Sequence, residues 1–103
     1  MIGIDIVTIS RFNQIDLTRL GIKLEKNFTS PLDAAKTWAC LEALYKASSI
    51  KFRFKDIQLL FDKNKPPVVI DRNNVLKSRY ILSLTHEKDI CIAVAVKDLN
   101  ETN

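Results

Sequence analysis

Glycine is scarce in this chain, with two in 103 residues, alongside three prolines, two cysteines, one histidine and one tryptophan. So little glycine, with 47% hydrophobic residues, excludes a disordered or low-complexity chain. There is no Walker loop, no G-x-G-x-x-G and no G-x-S-x-G elbow. Cys40 and Cys91 lie in apolar runs without metal spacing, so they read as buried thiols of a reducing compartment. No apolar run approaches the roughly 18 residues of a membrane span. The opening MIGIDIVTI lacks a basic n-region and a small-residue cleavage site, and is not a signal peptide. The expectation is a cytoplasmic protein with no membrane partner.

The length favours a single domain over residues 1–103, able to bury a core without a staple. The net charge is +4 and the pI about 9.2. That balance suits an acidic partner: nucleic acid, a phosphate-rich cofactor or an acidic protein. The lysines and arginines are dispersed, densest at Lys51, Arg53 and Lys55, with no aromatic RNA-binding signature beside them.

MIGIDIVTI is nearly continuous in β-branched residues and predicts a strand. It is apolar on both faces, Ile2, Ile4 and Ile6 on one and Gly3 and Val7 on the other, which predicts a central position. Residues 10–20 predict a short helix with Ser10 as N-cap, Phe12 and Ile15 on one side, and Gly21 as its stop. Residues 22–28 are ambiguous. A long helix is predicted from Pro31 to about Ser48. Ser30 caps it, Pro31 opens it, and Asp33 completes a capping-box pattern. Its apolar stripe is Ala34, Ala35, Trp38, Leu41, Leu44 and Tyr45. FKDIQLLFD and VVI predict strands around an NKPP turn, and YILSLTH–EKD–ICIAVAV a buried hairpin. The tail from Lys97 is polar and predicted to fray. Strand, helices, then four strands argue for α+β.

The polar residues inside these runs are the candidates for chemistry. Asp5 is a carboxylate in a buried strand, costly unless paired, hydrogen-bonded or metal-bound. It could also stand at an exposed strand end, accepting backbone hydrogen bonds. Glu42 and Lys46 are spaced i, i+4, and an exposed pair of that kind contributes only about 0.3–0.5 kcal/mol. If Asp5 faces Glu42, the carboxylates repel unless a divalent cation lies between them, with Lys46 one turn away from a bound phosphate. His86 ends a strand at a tight turn, as a structural hydrogen-bonder or as an acid–base group.

These residues occur in an order that resembles holo-[acyl-carrier-protein] synthase, the small bacterial class of 4′-phosphopantetheinyl transferase. GIDIVTISRF is similar to that family's G-[IL]-D-[IL]-x-x-[IL]-x-R-[IF], and WACLEALYKA to its helix motif [FW]-x-x-K-E-A-x-x-K-A. KDIQL, Asn64-Lys65-Pro66 and LSLTHEKDICIAVAV resemble the family's W/F-x-D-I-E-[IV] strand, G-K-P turn and closing [IV]-S-[IL]-[ST]-H-x-x-x-[YF]-A-x-A-x-V hairpin. The resemblance runs collinearly from Gly3 to Val96. It implies an antiparallel sheet packed against the long helix. It implies Mg²⁺-dependent transfer of phosphopantetheine from coenzyme A to a serine of apo acyl carrier protein, releasing adenosine 3′,5′-bisphosphate.

The resemblance gives Asp5 and Glu42 the metal, and makes Asp5, Glu42 and Lys46 catalytic. Lys46, Lys65, Pro66 and His86 would bind coenzyme A, and Arg11 would meet the carrier protein. It also implies a homotrimer with the active site between subunits. The chain departs from the pattern where Leu41 replaces a lysine and Thr37 an arginine. Ser48-Ser49-Ile50 replaces a Gly-rich stretch, and the segment after Phe28 is short. Each lost cation could remove a charge-assisted contact of about 1.5–3 kcal/mol. A homologue that binds carrier protein or coenzyme A without turnover therefore stays open. A basic nucleic-acid module is a third reading, opposed by the missing aromatic platform, so no nucleic-acid partner is expected.

Overall fold

The structure is a computed structural model and describes residues 1–14, 16–24 and 30–99. The expected apolar contribution of Ile15, most of the ambiguous 22–28 stretch and the end of the tail at 100–103 lie outside those residues.

β1 (Ile2–Thr8) pairs antiparallel with β5 (Ile90–Lys97), which pairs antiparallel with β4 (Tyr80–Glu87), giving the order β1-β5-β4. β1 is thus an edge of this sheet, and β5 is central. Its two apolar faces have another cause. Gly3, Asp5 and Val7 are buried on the inner face, while Ile2, Ile4 and Ile6 remain exposed on the outer one. β2 (Gln58–Leu60) and β3 (Val68–Ile70) form a separate antiparallel ladder, so the predicted first strand of that pair is shorter than FKDIQLLFD. Its start, Phe54–Asp56, is a 3-10 turn.

α1 (Pro31–Ala47) starts as predicted. The Ser30 hydroxyl accepts from the Asp33 N–H, and the Asp33 carboxylate accepts from the Ser30 N–H. A stripe of small residues, Ala35, Ala39, Ala43 and Ala47, is fully buried, as are Ala93 and Ala95 of β5. Small residues on both surfaces let helix and sheet approach closely. Gly3 is the tightest point, where a Cβ would lie 2.0 Å from the Ala43 carbonyl oxygen and 2.6 Å from the Ala47 nitrogen. On another side of α1, half-buried Trp38 and Tyr45 pack their rings against Phe54, with centroids 5.5 and 5.9 Å apart.

Among the described residues, the helix predicted over residues 10–20 is absent. Two 3-10 turns, Ile9–Phe12 and Leu17–Leu20, stand there instead. Ser10 does not cap. Its N–H and hydroxyl both donate to the Asp89 carboxylate in the β4–β5 turn, at 2.9 and 2.6 Å. Gly21 does end the second turn, with a φ of 77° that suits glycine. The tail is held as far as Asp98, where the Lys97 N–H donates to the Met1 carbonyl and the Asp98 N–H to that of Arg79. Among the described residues, no helix is long and apolar enough to cross a membrane.

Candidate active site

Close packing at Gly3 sets the site. Asp5 is the next inward residue of β1, and its side chain is carried against the flank of α1 at 9% exposure. Lys46, in the last turn of α1, donates from Nζ to Asp5 Oδ1 at 2.9 Å and to the Ile4 carbonyl at 3.0 Å. Asp5 Oδ2 is enclosed and has no hydrogen-bond partner among the described residues. The strand-end alternative is therefore wrong, because Asp5 is mid-strand and is met by a side-chain cation.

Glu42 is half-buried one turn before Lys46 and makes no ion pair among the described residues. The alternative of an i, i+4 pair with Lys46 is not realised, because a buried carboxylate gains more from an ammonium than a wetter one does. This corner thus holds one orphaned carboxylate oxygen and one lysine, and Glu42 stands one turn back from that lysine on α1. Hard cations take such oxygens. Among the described residues, no three of His, Cys, Asp or Glu cluster as a metal cage. An ion here would complete its shell from water or substrate oxygens, as Mg²⁺ does.

A second feature lies beside β4. A cavity of about 420 Å³ is lined by Lys36 of α1, Phe61, Lys63 and Lys65 of the β2–β3 connection, and Leu84 and His86 of β4. Lys65 and His86 both line this cavity. Pro66 is not among them. It lines a neighbouring cavity of about 430 Å³ with Val68, Arg79 and Tyr80. Arg11 is exposed in the 3-10 turn after β1, its guanidinium 5.5 Å from the Phe12 ring.

Lys36 and Lys63 escaped the sequence reading. The signal for Lys36 was a lysine in register with the small buried stripe at Ala39, Cys40 and Ala43. For Lys63 it was the Lys-x-Lys spacing around the turn. The departures at 37 and 41 also take a physical form. Thr37 and Leu41 are both 1% exposed, so these positions face the core. The Thr37 hydroxyl donates within the helix to the Asp33 carbonyl at 3.0 Å. Arg53 is drawn to Asp56 at 3.1 Å, and the Lys51 ammonium lies 4.3 Å from the Tyr45 ring centre, so the basic Lys51–Arg53–Lys55 group is partly spent locally. Cys40 and Cys91 are buried as expected. Burial pushes the Cys40 thiol up to about 12 and that of Cys91 up to about 11. Neither is a nucleophile near neutral pH.

Comparison with known proteins gives this geometry a context. No family profile matches the chain. It is 38% identical over 117 residues to holo-[acyl-carrier-protein] synthase of Aquifex aeolicus, covering 92% of this chain and 95% of that one. The crystal structure of the synthase from Neisseria meningitidis superposes with a TM-score of 0.75 at 26% identity, covering 94% of this chain and 96% of that one. The Helicobacter pylori synthase, solved with coenzyme A, gives 0.69 at 24% identity over 95% and 100%. These likenesses put the α+β domain in the phosphopantetheinyl transferase class. Within that class, the chain belongs to the holo-[acyl-carrier-protein] synthase family.

Proposed function

We propose that this chain moves 4′-phosphopantetheine from coenzyme A to a serine of apo acyl carrier protein. The observation that carries this reading is the Asp5–Lys46 corner with its orphaned carboxylate oxygen, in a chain of this family. Asp5 and Glu42 are the residues that would hold Mg²⁺. When bound there, the ion would offset negative charge on the pyrophosphate.

Lys46 does two jobs. It balances Asp5 in the free protein, and from the same position its ammonium reaches a phosphate beside that carboxylate. There it offsets charge on the leaving group. The serine oxygen bonds to the β-phosphorus. The bond from that phosphorus to the bridging oxygen breaks, and adenosine 3′,5′-bisphosphate leaves with the electron pair. A water held by Glu42 takes the serine proton. The remaining work is positioning, so no protein nucleophile is needed. Lys65 and His86 approach coenzyme A from the basic cavity and Pro66 from the other side of the same turn. Arg11, exposed after β1, suits an acidic residue of the carrier protein.

The working unit in this reading is a homotrimer. The outer face of the sheet presents Ile2, Ile4, Ile6, Ile81 and Ile90, all exposed, with Ile92, Val94 and Val96 of β5 between them. So continuous an apolar face on a small domain marks an interface. The inner face explains why copies would be needed. α1 lies across β1 and β5. Asp5 is on β1, whereas His86 is two strands away on β4, about 10 Å at the usual strand spacing. A neighbouring copy can supply the cavity to this copy's carboxylates. A coenzyme A-dependent reaction and buried free thiols both support a cytoplasmic setting.

A mass spectrum of apo acyl carrier protein, incubated with the protein, coenzyme A and Mg²⁺, tests the reading. The expected result is a gain of about 340 Da, lost with EDTA and abolished by Glu42→Gln at an unchanged melting temperature. Coenzyme A binding without any gain would favour the alternative, a homologue without turnover, which the core-facing Thr37 and Leu41 support. Full activity of Glu42→Gln would remove the proposed metal site.

A further inference from the structure

Arg11, the residue assigned above to the carrier protein, sits inside the 3-10 turn Ile9–Phe12. An exposed arginine binds more tightly when its backbone is fixed beforehand, because less freedom is lost on contact. A helical turn opens with backbone N–H groups that have no partner within it. Thr8, just ahead of this one, makes no side-chain cap. The partners come from the far end of the chain. The Asp89 carbonyl accepts from the Ile9 N–H at 2.8 Å. Its Oδ1 accepts from the Ser10 N–H at 2.9 Å, and its Oδ2 from the Ser10 hydroxyl at 2.6 Å. We propose that Asp89 is a positioning residue for carrier-protein recognition, acting by locking the turn that presents Arg11. The proposal rests on the transferase reading above, with Arg11 as its carrier-protein contact, and adds the residue that holds Arg11 in place.

Asp89 bonds unlike an ordinary turn aspartate. Such a residue commonly bonds its own backbone two positions along, which favours it in tight turns. Here both carboxylate oxygens go to Ser10, 79 positions away in the chain. The hairpin is closed without them. The β4–β5 ladder is paired as far as Glu87 and Ile90, and the β1–β5 ladder as far as Thr8 and Ile90. The clasp begins where both ladders end, so it extends the grip of the sheet to the turn. The other end of the turn is fixed separately. Phe12 is buried, its ring centre 6.4 Å from that of Trp38. Arg11 stands between these two anchors, with its guanidinium 5.5 Å from the Phe12 ring centre. Loss of the clasp frees the start of the turn and leaves Phe12 in the core. His86 keeps its place opposite Cys91 in the ladder, so the coenzyme A side is not disturbed. The clasp is exposed to solvent, and global stability depends on it little.

Steady-state transfer by the full chain, with apo acyl carrier protein and coenzyme A varied in turn, tests this. The variants are Asp89→Ala, Asp89→Asn, Ser10→Thr, Arg11→Ala and Arg11→Ala with Asp89→Ala. Melting curves verify folding, and Asp89→Asn, which keeps the side-chain shape, serves if alanine unfolds the chain. Arg11→Ala should raise KM for the carrier protein by about tenfold. Asp89→Ala should raise it by about fivefold, with kcat and KM for coenzyme A changed by less than about twofold. Asp89→Asn should follow in the same direction. Ser10→Thr keeps both donors and should match the unaltered protein. With Arg11 already replaced, Asp89→Ala should add nothing to KM. An equal effect of Asp89→Ala with and without Arg11, an equal rise in both KM values, or no change in either overturns the positioning role and leaves the transferase reading intact. An unchanged carrier-protein KM in Arg11→Ala overturns the Arg11 contact and the proposal with it. No transfer by the unaltered protein overturns the transferase reading as well.

Discussion

Lys46 is the residue whose partner decides most. It could have paired with Glu42 on its own helix, and it pairs with Asp5 on another element. Removing it leaves a buried carboxylate uncompensated. Breaking a fully buried pair costs about 3–5 kcal/mol, but the Lys46 side chain is 48% exposed, so about 1–2 kcal/mol is expected for Lys46→Met. Urea denaturation should show that loss, and adding Asp5→Asn should recover part of it. Full additivity of the two changes would mean the contact carries no coupling. The thiols make a second residue-scale prediction. The folded state keeps Cys40 and Cys91 protonated while an unfolded chain ionises near 9.0, so above that pH the unfolded state binds fewer protons. Their contribution to stability is fully present below about pH 9 and declines as pH rises toward 12. A thiol reagent at pH 8 should find neither cysteine in the native protein and both in guanidinium. Rapid native labelling would contradict their burial.

At the scale of elements, the seam between β1 and α1 holds the site together. A methyl group at residue 3 has no room against the backbone of Ala43 and Ala47. Gly3→Ala must push strand and helix apart, and overpacking of this kind costs about 1–3 kcal/mol, more where backbone is the obstacle. The melting temperature should fall and transfer activity should fall with it, because Asp5 is carried on the displaced strand. An unchanged melting temperature would show that the seam yields freely. The start of α1 was legible because Ser30, Pro31 and Asp33 act within one turn. The small stripe was not, since alanines at i, i+4 spacing look like helix filler until a glycine and two β5 alanines are set against them.

For the whole molecule, the proposed homotrimer is tested on the sheet's outer face. Ile4→Glu places a charge in the middle of it without touching the inward residues of β1. In the proposed homotrimer, the unaltered protein should sediment as a trimer and the variant as a monomer, and transfer activity should collapse because the cavity and the carboxylates would no longer meet. A monomeric, fully active unaltered protein would end the idea of a shared site.

Order along the chain was within reach of the sequence alone. Local chemistry set the long helix by its cap, the closing hairpin by its β-branched runs around a tight turn, and the α+β class by their succession. Five motif-like stretches in the same order carried the family. What needed the folded chain was everything that depends on sequence-distant partners. β1 became an edge strand because β5 takes the centre, and Ser10 turned from cap to clasp because Asp89 lies across from it. Lys46 left its helical neighbour for Asp5, and Lys36 joined Lys63 and His86 in one cavity. Periodicity and capping report the backbone within a few residues. Burial and the partner of a charge are set by which surfaces close on each other, and only tertiary packing decides that.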